Sequence, residues 1–327
     1  MTRYRGSAGP IALLSVAVAL AGCSLGPSVN GSFDRTLNVT GPVRLELANA
    51  AGDVTINGSA DGKIHVHGDV RVSGVSFGSP QKQLDELVAN PPVEQRGDTV
   101  RIGKEMSRMH NLAITYVIEV PKDTSVSTTV ASGSQSIKGV RGPVKAEAAS
   151  GAIRADGIDR AVQLSTASGA ITADDNGDDV HVSSSSGSVA VSNAKGDVRI
   201  HVVSGVIQVS NPGGRVDAST LSGSIDVDGA TSDVKAHAAS GRIAIQGNPS
   251  GHSYWDLKTV SGTVQLTVPA SASFHLSAEA MSGEIRAAIP IVIEEQGKHS
   301  LRAHMGDGGG RVEVHTVSGS IEVRGSK

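Results

Sequence analysis

Residues 180–209 read VHVSSSSGSVAVSNAKGDVRIHVVSGVIQV, and two spacings in this stretch decide the fold. Ser-Gly falls at Ser186 and again at Ser204. Val180, Val189, Val198 and Ile207 stand at every ninth position, and each is followed two residues later by another apolar side chain: Val182, Val191, Ile200 and Val209. Apolar-x-apolar is the alternation of a strand with one buried face. Nine residues hold one such strand and a turn, so 18 residues make a coil of two strands. Reading outward, Ser-Gly recurs at Ser132, Ser150, Ser168, Ser186, Ser204, Ser222 and Ser240 in steps of 18, then at Ser261, Ser282 and Ser318. The ninth-residue column is β-branched without exception from Ile153 to Ile243, and its companion from Ala155 to Ile245 is apolar throughout. The pattern predicts an all-β fold: a parallel two-sheet β-solenoid with 18-residue coils and nine-residue half-coils, stacked about 4.8 Å apart.

Composition agrees. Aromatics are 2% of 327 residues, too few to bulk out a thick core. Two facing aliphatic ladders need none. The 40 glycines fit many turns, and 29 basic against 32 acidic side chains argue against nucleic acid as a partner.

Other solenoids are separated by period. Left-handed hexapeptide helices place an aliphatic every six residues rather than nine. The calcium β-roll needs an Asp two residues before each aliphatic. Here those places hold Gly151, Arg160, Gly169, Asp178, Gly187, Gly196, Gly205, Gly214, Gly223, Ser232 and Gly241, with a single Asp among them. Pectate-lyase-like coils are longer, at roughly 22 residues or more, and carry three sheets.

Residues 1–22 read as a lipoprotein signal peptide. Arg3 and Arg5 precede an apolar run from Ile11 to Leu20, too short to span a bilayer. Leu20-Ala21-Gly22-Cys23 resembles the lipobox of bacterial lipoproteins, which implies acylation of Cys23, the sole cysteine. No thiol would then be left for a disulfide. Ser24 rather than Asp after the cysteine favours the outer membrane if the host is Gram-negative. Residues 23–38 read as a tether and 39–327 as the solenoid domain. Weaker coils are expected at Val43-x-Leu45-x-Leu47, Val54-x-Ile56 and Lys63 to His67. Residues 74–112 read as an excursion or partial cap, with a helix over Gln81 to Asn90 stopped by Pro91-Pro92. Strands are expected over Val93 to Ile102, turning at Gly97-Asp98, and over Leu112 to Val120.

The strand Tyr116 to Pro121, the Ser-Gly-x-Ile/Val array and the closing segment Gly310 to Ile321 resemble the bacterial putative-adhesin family. That resemblance, over roughly residues 40–325, implies a β-solenoid domain of exported, membrane-attached proteins. It carries no site residues.

Candidate sites are few. Ten Ser-Gly repeats cannot each hold a nucleophile. His65 and His67 share a strand face without a third ligand, so they read as exposed strand residues. His201, His237 and His315 fall in one outward column and read as surface residues. Asp174, Asp175, Asp178 and Asp179 crowd one turn, which offers at most a weak calcium site. Tyr254 is the candidate sugar-stacking residue, while Trp255 takes the inward position of Val234 in another coil.

No cofactor is implied and no catalytic residue is assigned. The leading expectation is a non-enzymatic structural or adhesin-like module, held to the membrane of the cell envelope by its lipid and meeting an envelope protein or glycan. The alternatives are a polysaccharide hydrolase or lyase, and a factor in envelope-stress sensing or assembly.

Overall fold

The computed structural model describes residues 28–73, 79–103, 111–249 and 251–326. The signal segment and Cys23 lie outside the described residues. In chain order, β1 (Val29–Asn38), β2 (Arg44–Ala51), β3 (Val54–Ser59) and β4 (Lys63–Val72) precede helix α1 (Pro80–Ala89). Next come β5 (Val93–Arg96), β6 (Thr99–Ile102), β7 (Leu112–Pro121), β8 (Ser125–Ser132), β9 (Gln135–Lys138), β10 (Val144–Ser150) and β11 (Ile153–Asp156). The array continues through β12 (Val162–Ser168), β13 (Ile171–Asp174), β14 (Val180–Ser192), β15 (Val198–Ser210), β16 (Val216–Ala230), β17 (Val234–Ser240) and β18 (Ile243–Gly247). The last strands are β19 (Tyr254–Ser261), β20 (Val264–Val268), β21 (Phe274–Ser282), β22 (Ile285–Ala288), β23 (Val292–Gln296), β24 (Ser300–Met305), β25 (Gly310–Ser318) and β26 (Ile321–Gly325).

The strands pair in two facing rows. Row one runs β5–β6–β2–β8–β10–β12–β14–β15–β16–β17–β19–β25–β21–β24–β23. Row two runs β1–β4–β7–β3–β9–β11–β13–β14–β15–β16–β18–β20–β26–β22. Strands β14, β15 and β16 turn the Ser-Gly corner unbroken and belong to both. In register, Val162 lies opposite Val180, Val180 opposite Val198, and Val198 opposite Val216. Both aliphatic columns point inward and are buried from Ile153 to Ile245. The core is thin and continuous, as an architecture without aromatic bulk requires.

Glycine at the Ser-Gly corner is a steric necessity. Gly187 has φ +137°, and a Cβ there would meet the Gly169 carbonyl oxygen at 2.0 Å. The corner backbones touch because Gly151 N–H donates to Ser168 C=O at 3.0 Å and Gly169 N–H to Ser186 C=O at 3.1 Å. At the opposite corner Asp175, Asn193 and Asn211 adopt φ of 50–53°, which short polar side chains tolerate best after glycine.

Four expectations need correction. The tether ends earlier: Val29–Asn38 is a strand, antiparallel to β4 over all ten residues. Phe33 anchors it, packing over Gly68, where a Cβ would sit 2.4 Å from the ring, and edge-on against Tyr116. Lys63 to His67 is no coil; β4 lies antiparallel between β1 and β7. The sheet is therefore mixed, with further antiparallel pairs β5–β6, β21–β24 and β23–β24. Finally, chain order and stacking order part at the C-terminal end: β25 inserts between β19 and β21, placing Ser318 between Ser261 and Ser282.

The helix closes one end. Leu84 and Leu87 are buried, and Leu84 packs on the bare Cα of Gly31 in β1. Pro80 begins the helix, where its missing N–H costs nothing.

Candidate functional site

The acidic turn does not gather its four carboxylates. Asp174, on β13, accepts from Ser192 Oγ at 2.5 Å, Asn193 Nδ2 at 3.2 Å and the Asp175 amide at 3.1 Å. The Ser192 bond foremost holds its carboxyl below the usual range. Asp178 caps the Asp179 amide at 2.9 Å, and Asp179 accepts the Asp197 amide of the next repeat at 2.9 Å. Asp197 in turn accepts the Arg215 amide. These side chains stitch corner to corner. Among the described residues, the group whose oxygens lie within 4.8 Å of one another is instead Asp156, Asp174 and Asp175. Asp156 opposes Asp174 in register and is paired with Arg154 at 3.2 Å. The bonds to Asp174 all fall on Oδ1 and the Arg154 pair on Oδ2 of Asp156, so one oxygen of each carboxylate lies outside these bonds.

His65 and His67 are engaged separately. His65 meets Asp61 at 3.1 Å, while His67 meets Asp34 at 2.8 Å and Asp69 at 3.4 Å. The Asp34 hydrogen bond raises the His67 pKa above its ordinary value. Trp255 is fully buried opposite Val234 and Val312, with its indole N–H donating to Ser232 C=O at 2.8 Å. Tyr254 faces outward, 40% exposed, and donates its hydroxyl to Glu313 at 2.7 Å. That bond, with burial and neighbouring carboxylates, pushes the phenol pKa up to about 12.

The outer face of row one gathers more than the sequence reading expected. Its histidine column runs, in stacking order, His201, Ser219, His237, Lys258, His315 and Glu279. Beside it stand Asp256 and Glu313. Asp256, with only 12% of its side chain exposed, accepts from His237 Nε2 at 3.0 Å and Lys258 Nζ at 2.9 Å. Burial raises its pKa, but the bonds and charges of Lys258 and His237 outweigh burial and hold it below the usual range. His315 lies 3.5 Å from Glu279. Acidic side chains therefore gather on this face as well as in the turn at Asp174 to Asp179. Tyr254 holds Glu313, and His237 and Lys258 hold Asp256, so the charged side chains of this face are tied into pairs along the stack.

On the other side of the histidine column lies an apolar one: Val203 (43% exposed), Leu221 (62%), Ala239, Val260 (55%), Val317 (44%) and Met281 (75%). The two columns, apart from Val203, line a groove of about 610 Å³. Spanning six strands, the apolar column is about 24 Å long. The equivalent positions earlier in the array are Ala131, Ala149, Ala167 and Ser185, so the fold itself does not demand large aliphatics there. The signal was present in the sequence, as the residue before each Ser-Gly.

A family model described as Toastrack DUF4097 matches residues 43–324. No curated protein matches the chain. Among solved structures, a putative cell adhesion protein from Clostridium sporogenes is similar at 13% identity, covering 91% of this chain and 100% of that one, with a TM-score of 0.21. A putative lipid binding protein from Parabacteroides distasonis is similar at 12%, covering 90% and 97%, with a TM-score of 0.33. A putative adhesin from Bacteroides fragilis gives 12%, 90%, 97% and 0.32.

Proposed function

The chain belongs to the Toastrack DUF4097 family, and on that premise we propose that it is a lipid-anchored, non-enzymatic binding module of the bacterial cell envelope. In this reading a β-solenoid of 18-residue coils is tethered through acylated Cys23 and offers the outer face of row one to a protein partner. The observation that carries it is the aliphatic column Val203, Leu221, Val260, Val317 and Met281, exposed beside a charged column and confined to one half of the array. Exposed aliphatics at this density favour contact with another protein. A glycan would call for aromatic platforms, and Tyr254 at the edge of this face is the candidate sugar contact. Its hydroxyl is already committed to Glu313. The small-residue lipobox around the sole cysteine supports the anchor.

The test is a capture from envelope fractions, with a glycan array alongside. Leu221→Asp with Val260→Asp should abolish capture of the protein that wild type retains, while Ala149→Asp with Ala167→Asp should not. A glycan bound through Tyr254 would replace the protein partner, and turnover of an envelope polysaccharide lost in Asp256→Asn would replace the binding module with a hydrolase or lyase. Cys23→Ser should end labelling by a palmitate analogue and release the chain from the membrane.

A further inference from the structure

The two ends of the strand stack are built differently. At the N-terminal end α1 plugs the core, and the edge strands β1 and β5 carry exposed Asp34, Arg35, Glu94 and Arg96. Such charges are how sheets protect an edge from pairing. At the C-terminal end no helix intervenes among the described residues. The edge strands β22 and β23 carry exposed Arg286, Glu294 and Glu295 of their own, so what sets this end apart is the uncovered core beside β22 rather than a lack of charge. Among the described residues β22 pairs only with β26. The Ile321 N–H donates to Glu284 C=O at 2.9 Å. Backbone groups alternate along a strand, so the N–H and C=O of Ile285 and Ala287 point to the open edge. Ile285, Ile289 and Ile291 are half-buried here, and Val292 and Ile293 are 59% and 51% exposed.

We propose that this end is a two-fold interface between two copies of this chain, in which the β22 strands pair antiparallel and join the stacks tail to tail. The sequence of β22 is self-complementary in one register. Residues directly opposite in an antiparallel pair share a face of the sheet. With the two-fold axis at Ile285, that residue exchanges both backbone hydrogen bonds with Ile285 of the second copy. Glu284 then lies opposite Arg286 of the second copy, and Arg286 opposite its Glu284. Within one chain Arg286 already pairs with Glu284, so four charges alternate in sign across the axis. The apolar side chains of the two ends bury each other. A two-fold interface uses the same strand on both copies and the helix covers the other end, so assembly closes at two copies instead of running on as a filament.

The full chain in detergent, studied by sedimentation velocity, tests this. Wild type should be a dimer. Arg286→Glu should weaken it by about tenfold or more, and Glu284→Arg added to Arg286→Glu should restore it. Ala287→Pro removes an N–H from the open edge while sparing the β26 ladder, and should give a folded monomer. In Ile285→Cys the two Cα atoms would lie about 5.5 Å apart, within disulfide reach. Mild oxidation should therefore link that variant but neither Arg96→Cys nor the wild type with its Cys23. A monomeric wild type, an open series of larger oligomers, or charge variants that all dimerise alike would overturn the proposal.

Discussion

Replacing Gly187 by Ala should cost about 3–5 kcal/mol, from two separable sources. The first is conformational. Gly187 sits at φ +137°, and holding an L side chain in such a region costs roughly 1–3 kcal/mol. The second is steric. The new Cβ would lie 2.0 Å from the Gly169 carbonyl oxygen, about 1 Å inside any tolerable contact. Gly169 cannot simply retreat, because its N–H is bonded to Ser186 C=O at 3.1 Å, and losing such a bond costs about 1 kcal/mol. Gly41 supplies the control: its φ is +147°, yet a Cβ there would meet nothing within 4 Å. Gly41→Ala should pay the conformational part alone. Urea titrations followed by far-UV circular dichroism and by Trp255 fluorescence give both values, provided the two probes report one transition. Equal losses in the two variants would refute the claim that contact between stacked corners demands glycine.

Val198→Asp, which buries a carboxyl in the aliphatic ladder, should cost several kcal/mol, whereas the outward Arg199→Asp should change stability by only about 0.5 kcal/mol; the same titrations compare them. Asp256 is an acid whose folded pKa is depressed, so its contribution is present above its ordinary pKa of 3.8 and lost as pH falls through the lower folded value. Acid titration of stability should accordingly be shallower in Asp256→Asn below about pH 4. The His67 pKa is raised instead, so its pairing with Asp34 stabilises fully below pH 6.5 and fades as pH rises past the folded value. His67→Gln should flatten that small dependence in hydrogen exchange of β1 and β4. Melts in EDTA and in millimolar calcium should both start from the same β-rich spectrum, with at most a shift of a few degrees that Asp174→Asn removes. Loss of β signal in EDTA would mean that metal, rather than the aliphatic ladders, holds the array.

The repeating middle of the chain was legible because one periodicity carried both burial and turns. Ile153 to Ile245 announce the inward columns, and Ser-Gly marks the corner where only glycine fits. The ends were harder. Val29–Asn38 has only Phe33 as a fully buried anchor, and its room comes from Gly68, thirty-five positions away. Pairing by direction is invisible in such a pattern, since β4 alternates like any coil strand yet runs antiparallel. The insertion of β25 between β19 and β21 leaves every Ser-Gly spacing unchanged in the sequence while altering who stacks on whom. The outer face was missed for a related reason. His237, Asp256 and Lys258 become one cluster only after stacking puts Lys258 beside His237, across an irregular step of 21 residues.

The central claim is that the aliphatic half of row one is a contact surface. A photo-reactive amino acid placed at Leu221 in living cells tests it most directly, with the same substitution at Ala167 as the matched position in the small-residue half. The account predicts one discrete covalent adduct from position 221 that disappears when Val260→Asp is added, and none from position 167. Equal labelling from both positions, or no adduct from either, would contradict it.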